Sequence, residues 1–169
     1  GTNGAEAHLF GLEPNFGCCT ANFNQAWPKF ALSAFMHAKD TVISAIPVPS
    51  SLKTDDFSIS LNTKYPFENK LEYAVNSKKD MHLKVRIPSF AKNLTVNQKK
   101  TAFCEELDFN ICANKPAYIE IEFDAAPSMM LRPHNLRTVK CGSLVFSLPI
   151  EYEARMVEYE KDGVERKYP

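Results

Sequence analysis

The chain has 169 residues, 44% of them apolar, and its 20 basic and 20 acidic side chains cancel to a formal net charge of zero. That length supports one ordinary hydrophobic core, and without a basic block there is no electrostatic footprint for a nucleic-acid partner. The longest apolar runs, such as LVFSLPI at 144–150, fall well short of the roughly 20 residues that cross a bilayer. No charged-then-apolar leader opens the sequence, so it reads as soluble, with no membrane partner.

The first element in chain order follows FGCCTANFNQAWPKF at 16–30. Phe23, Ala26, Trp27, Phe30, Ala31, Ala34, Phe35 and Ala38 recur at three- and four-residue steps, which predicts an amphipathic helix over 20–38. Pro28 lacks the N–H for the carbonyl of Asn24, so the helix either kinks there or begins with Pro28 in its first turn. Beyond residue 40 the apolar period becomes two. In MHLKVRIP, Met81, Leu83, Val85 and Ile87 alternate with polar residues, and in YIEIEF Ile119, Ile121 and Phe123 alternate with Glu120 and Glu122. Further strands are predicted near 42–46, 57–63, 70–76, 93–97, 103–111, 128–131, 136–141 and 143–148. Many short strands without intervening helices imply a mainly β chain, an antiparallel β-sandwich of jelly-roll type preceded by one helix. The tail after 150 is polar and charged, a connector or surface hairpin with Asp162-Gly163 as its turn. This divides the chain into 1–40, 41–150 and 151–169.

Chemistry concentrates at Cys18 and Cys19. Gly17 permits a tight turn before them, and the N-terminal end of the following helix favours thiolate. A thiolate is a nucleophile and a zinc ligand, but two ligands are not a site, since structural zinc takes about four. No C-x-x-C or H-x-x-x-H spacing occurs in the chain. Spacing alone leaves buried inert thiols and a metal or catalytic role both open. Five cysteines, with Cys104, Cys112 and Cys141 completing the set, cannot all pair, so a disulfide scaffold is not expected. Free thiols point to a reducing, cytoplasmic compartment, an exported periplasmic bacterial protein being the alternative. The sequon Asn93-Leu94-Thr95 matters only on a eukaryotic secretory route.

The run GCCTANFNQAWPKF, followed in order by IPVPS, YPF, LKVRIPSF, TVN and GSLVFSLPI, resembles the β-L-arabinofuranosidase-like glycoside hydrolases of family 127. Their Cys-Cys-x-x-Asn signature falls on Cys18, Cys19 and Asn22, and the likeness extends over about residues 10–169. The resemblance implies that residues 1–40 are the end of an (α/α)6 catalytic barrel and 41–150 the β-sandwich that follows it. It further implies a retaining glycosidase acting on a plant-type oligosaccharide or glycoside, with Cys18 as nucleophile and zinc ligand and Cys19 as zinc ligand. A covalent intermediate that water resolves is what retention requires. The family's Glu-x-Cys zinc pair and acid/base glutamate lie upstream of the cysteine pair, and Glu6, Glu13 and His8 do not match them. The expectation is therefore the C-terminal part of such an enzyme, inactive by itself and without tightly bound zinc. Its partners would be the helical barrel and, in a homodimer, a second subunit.

Other residues have plainer expectations. Glu120 and Glu122 should lie on a solvated strand face, and Glu105 and Glu106 on opposite faces of any regular strand. His8, His37, His82 and His134 have no mutual metal spacing. Cys104 and Cys112 read as strand-borne packing residues, Met129 and Met130 as strand residues, and Trp27, Phe30 and Phe35 as core or barrel contacts. A carbohydrate-binding sandwich is the alternative function, and would display exposed aromatics drawn from Tyr65, Phe67, Tyr73, Phe90 and Tyr118.

Overall fold

The computed structural model describes residue 22, residues 24–153 and the backbone of 157–161 and 164–168. Helix α1 (Ala26–Leu32) is followed directly by strand β1 (Phe35–Ala38). The helix expected over 20–38 is thus corrected at its C-terminal end. It closes at Ser33, whose N–H bonds the carbonyls of Lys29 and Phe30 and whose hydroxyl donates to the Lys29 carbonyl. Past this point Phe35–Ala38 folds back on β2 (Thr41–Ser44) through Lys39 at φ 56°. Strand pairing outweighs helical periodicity, because propensity is a weak local preference that tertiary contacts override. Pro28 stands third in α1, among the first residues whose N–H groups have no intrahelical acceptor, so its missing donor removes no helix bond.

The remaining strands of the main body are β3 (Ser50–Lys53), β4 (Phe57–Thr63), β5 (Lys70–Ser77), β6 (Met81–Arg86), β7 (Lys92–Val96), β8 (Lys99–Lys100), β9 (Glu106–Ile111) and β10 (Ala117–Asp124). They form a four-stranded sheet ordered β1-β2-β6-β9 and a six-stranded sheet ordered β3-β4-β5-β10-β7-β8. The larger sheet is antiparallel throughout. In the smaller one β2 and β6 run parallel, which corrects the expectation of a wholly antiparallel sandwich. Between them the chain builds β3, β4 and β5 in the other sheet, a crossover long enough to bring it back in the same direction. At Asn97 and Gln98, φ is 48° and 65°, the paired positive values of a two-residue hairpin turn, and Asn suits them best. That turn adds β8, which alternation over two residues could not reveal.

The alternating residues face inward as their period requires. Met81, Leu83 and Val85 of β6 share one buried cluster with Ile59 and Leu61 of β4, Leu71, Tyr73 and Val75 of β5, and Ile119, Ile121 and Phe123 of β10. Each sheet therefore covers the apolar face of the other. One polar link crosses this core, where the hydroxyls of Ser44 and Tyr73 lie 2.8 Å apart. Both residues are buried, and a buried hydroxyl without a partner would cost about 1–3 kcal/mol. Burial pushes the Tyr73 phenol up to about 12, the bond to Ser44 pulling the other way.

A three-stranded sheet of β11 (Pro127–Leu131), β12 (Arg137–Cys141) and β13 (Leu144–Phe146) follows, then a hairpin of β14 (Val157–Lys161) and β15 (Val164–Tyr168). The tail is thus the hairpin alternative, and its expected Asp162-Gly163 turn lies outside the described residues. Met129, Leu131, Val139 and Val145 are exposed on the three-stranded sheet, as are Trp27 and Leu32 of α1. Among the described residues no helix is long and apolar enough to cross a membrane.

Truncating Leu83 or Ile121 to Ala should lower the unfolding free energy by about 2–5 kcal/mol in urea titrations. A loss below about 1 kcal/mol would show that the two sheets do not share a close-packed interior. Because Tyr73 keeps its proton above the value near 10 of an unfolded phenol, its contribution to stability is complete below that pH and is lost as pH rises through about 12. Urea midpoints should fall more steeply across this window for the wild type than for Tyr73→Phe; parallel curves would refute the burial argument.

Candidate functional site

Cys18 and Cys19, the sequence-predicted nucleophile and metal ligands, lie outside the described residues, as do His8, Glu6 and Glu13. Cys104, Cys112 and Cys141 are free thiols. Cys104 and Cys112 flank β9 rather than lying in it, and Cys112 is exposed, so the expectation of two strand-borne packing residues is corrected. The Sγ of Cys141 donates to the carbonyl of Ala125 at 3.4 Å. His37 bonds the Lys39 carbonyl, and His82 bonds Asp108 at 2.9 Å across the β6–β9 pair. Among the described residues no group of three His, Cys, Asp or Glu side chains could hold a metal. These residues therefore do not by themselves fit a zinc site.

A cleft of about 580 Å³ opens where α1 meets the sheets, lined by Phe30, Tyr65, Arg86, Phe90, Glu105 and Ser143 among others. Tyr65 and Phe90 each pack on Phe123 of the core, with ring centroids 6.4 and 6.3 Å apart. The Tyr65 and Ser143 hydroxyls bond each other, tying the β12–β13 hairpin to the main body. Gly142, in that hairpin, has φ 58°, and a Cβ there would stand 2.9 Å from the Phe90 ring. The lining contains neither cysteine nor histidine, so the cleft offers an apolar wall with one guanidinium and one carboxylate rather than a nucleophile with its base.

The solvent face of the six-stranded sheet carries the densest charge network. Lys70 Nζ lies 2.8 Å from Glu120, 3.2 Å from Glu72 and 3.4 Å from Glu122. Hydrogen bonds to Glu120 and Glu72 hold the Lys70 ammonium well above its usual range, and Lys70 together with the Asn62 amide holds Glu72 below the usual carboxylate range. Glu106 likewise raises Lys84, and Lys79 lowers Asp56. Glu120 and Glu122 thus occupy the solvated face that alternation predicted, neutralised in part by a lysine that sequence spacing did not connect to them. Among the candidate sugar-stacking aromatics Tyr73 is buried, Tyr65 and Phe90 pack against the core, and Phe67 and Tyr118 are exposed.

No family model and no curated protein matches the sequence. Solved structures do. A GH127 β-L-arabinofuranosidase from Geobacillus stearothermophilus T6 superposes with TM-score 0.59 at 14% identity, over 76% of this chain and 23% of that one. The chain has the fold of part of a GH127 enzyme. A second structure, a glycoside hydrolase, gives TM-score 0.64 at 20% identity over 77% of this chain and 25% of that one. A third, a GH127 β-arabinofuranosidase, gives 0.60 at 18% identity over 76% and 25%. The chain therefore spans about a quarter of the length of these structures.

Gly142→Ala should destabilise the protein by at least about 1 kcal/mol, since a left-handed backbone is unfavourable for Ala and the added methyl meets Phe90. Unchanged urea midpoints would show that this hairpin is not held against the cleft wall as described.

Proposed function

We propose that this chain is the C-terminal, mainly β portion of a retaining glycoside hydrolase of the GH127 type. The observation that carries the reading is the shared fold, three-quarters of this chain matching about a quarter of each of two GH127 structures, joined to the Cys-Cys-x-x-Asn run at Cys18, Cys19 and Asn22. In this reading residues 1–40 close an (α/α)6 catalytic barrel and lead through β1 into a jelly-roll-like sandwich over 41–150, and 151–169 carry the β14–β15 hairpin. Cys18 is the nucleophile, and Cys18 and Cys19 are two of the ligands of a zinc ion whose other ligands come from outside the described residues. When bound, zinc would keep these thiols deprotonated.

The protein's own contribution follows from ordinary thiolate chemistry. The Cys18 sulfur displaces the leaving sugar oxygen at the anomeric carbon, an acid elsewhere in the enzyme protonates that oxygen, and water then displaces the sulfur with net retention. The substrate class is an arabinoside or related plant-type glycoside. The β-rich body acts as a brace: exposed Trp27 and Leu32 on α1 and Met129, Leu131 and Val145 on the three-stranded sheet are the surface a helical barrel would cover.

The residues 1–169 polypeptide should release no sugar from an aryl β-L-arabinofuranoside. A longer polypeptide that includes the barrel should release it, and Cys18→Ala should reduce that rate by about a thousandfold or more. Turnover by residues 1–169 alone that Cys18→Ala abolishes would overturn the division of labour, and an unaffected rate in the longer protein would remove Cys18 from the chemistry.

A further inference from the structure

On the solvent face of the six-stranded sheet lies a shallow trough of about 370 Å³. Strand register places Ser60, Ala74 and Tyr118 side by side in one row, and Asn62, Glu72 and Glu120 in the next. An aromatic ring on a sheet normally packs against its cross-strand neighbours. Here the paired neighbour on β5 is Ala74, with Ser60 one strand further on, both too small to cover it, and Tyr118 is 76% exposed. A flat apolar ring is thus left uncovered beside a fixed polar row.

That row is held in place before any ligand arrives. The Glu72 carboxylate is fixed by Asn62 Nδ2 at 2.7 Å and Lys70 Nζ at 3.2 Å, and Glu120 by Lys70 at 2.8 Å. Asn97, which also lines the trough, accepts the Glu120 N–H on its Oδ1 at 2.9 Å, so its amide plane is set. Among the described residues the Tyr118 hydroxyl, the Ser60 hydroxyl and the Asn97 Nδ2 have no protein hydrogen-bond partner. Donors and acceptors therefore stand ready around an apolar platform, the general pattern of a site that orients a small ligand by a few polar groups.

The charge selects the ligand class. Lys70 meets three carboxylates, Glu72, Glu120 and Glu122, leaving the face acidic and repelling phosphates, sulfates and uronic acids. Fixed carboxylates accept hydrogen bonds from hydroxyl groups, and the C–H face of a sugar ring presents the partly positive surface that a tyrosine π-face attracts. We propose that this trough binds a neutral saccharide, with one sugar ring stacked on Tyr118 and its hydroxyls on Glu72, Glu120 and Asn97. The site needs only this sheet face and does not depend on the hydrolase reading or on Cys18.

The test is titration of the protein with arabinotriose, xylotriose and cellotriose, followed by calorimetry and by amide NMR shifts. At least one should bind saturably in the millimolar range, with the largest shifts at Ala74, Tyr118 and Asn97. Tyr118→Ala should weaken that binding by about tenfold or more, and Tyr118→Phe, which keeps the ring, by less than about threefold. Both variants change an exposed side chain, so unchanged urea midpoints establish that the fold is intact. The proposal is overturned if none of the three sugars saturates, if Tyr118→Ala binds as wild type does, or if trigalacturonate or tetramethylammonium binds more tightly than every neutral sugar.

Discussion

Two sheets, neither able to hide its apolar face alone, must close on each other. Leu71, Tyr73 and Val75 of β5 and Ile119 and Ile121 of β10 lie on paired central strands, and Leu83 and Val85 belong to the opposite sheet. Because side chains alternate every residue, a slip of one position in β5 or β10 would send Lys70, Glu72 and Glu120 into the interior and these apolar residues into water. Burying even one of those charges unpaired is far costlier than any gain from a new register. The Ser44–Tyr73 bond adds a directional contact to an otherwise non-directional core. The same alternation that closes the core fixes the outer face, so the Lys70 network and the Tyr118 trough are consequences of the register.

The strands of strong alternation were legible from the residues alone. MHLKVRIP and YIEIEF coincide with β6 and β10, and among the less regular stretches 57–63 coincides with β4 and 70–76 with nearly all of β5. What local pattern could not give is long-range. The parallel pairing of β2 with β6 depends on how far the chain travels between them. Phe35–Ala38 carries spacing that suits a helix face, and it becomes a strand because β2 is available beside it. Short β3 and β8 hold too few residues to show a period.

Function was legible unevenly, for a physical reason. Cys18 and Cys19 stand out in the sequence as adjacent thiols, but they lie outside the described residues, and spacing alone left an inert and a reactive role both open. Tyr118 and Glu120 were visible as an aromatic and a carboxylate. That Ala74 and Ser60 leave the ring bare, and that Lys70 gathers three carboxylates, follows only from register. The fold is shared with solved glycoside hydrolases at only 14–20% identity, as expected where cores tolerate exchange among apolar residues of similar volume.

The role proposed for Cys18 is a covalent bond to sugar carbon in a longer polypeptide that includes the barrel. Incubating the longer polypeptide with an activated arabinofuranosyl donor whose sulfur-linked intermediate hydrolyses slowly, then mapping the peptides by mass spectrometry, tests it directly. The account predicts one pentosyl adduct on the peptide containing Cys18, absent in Cys18→Ser. An adduct on a carboxylate, or turnover with Cys18 unmodified at every time sampled, would contradict it.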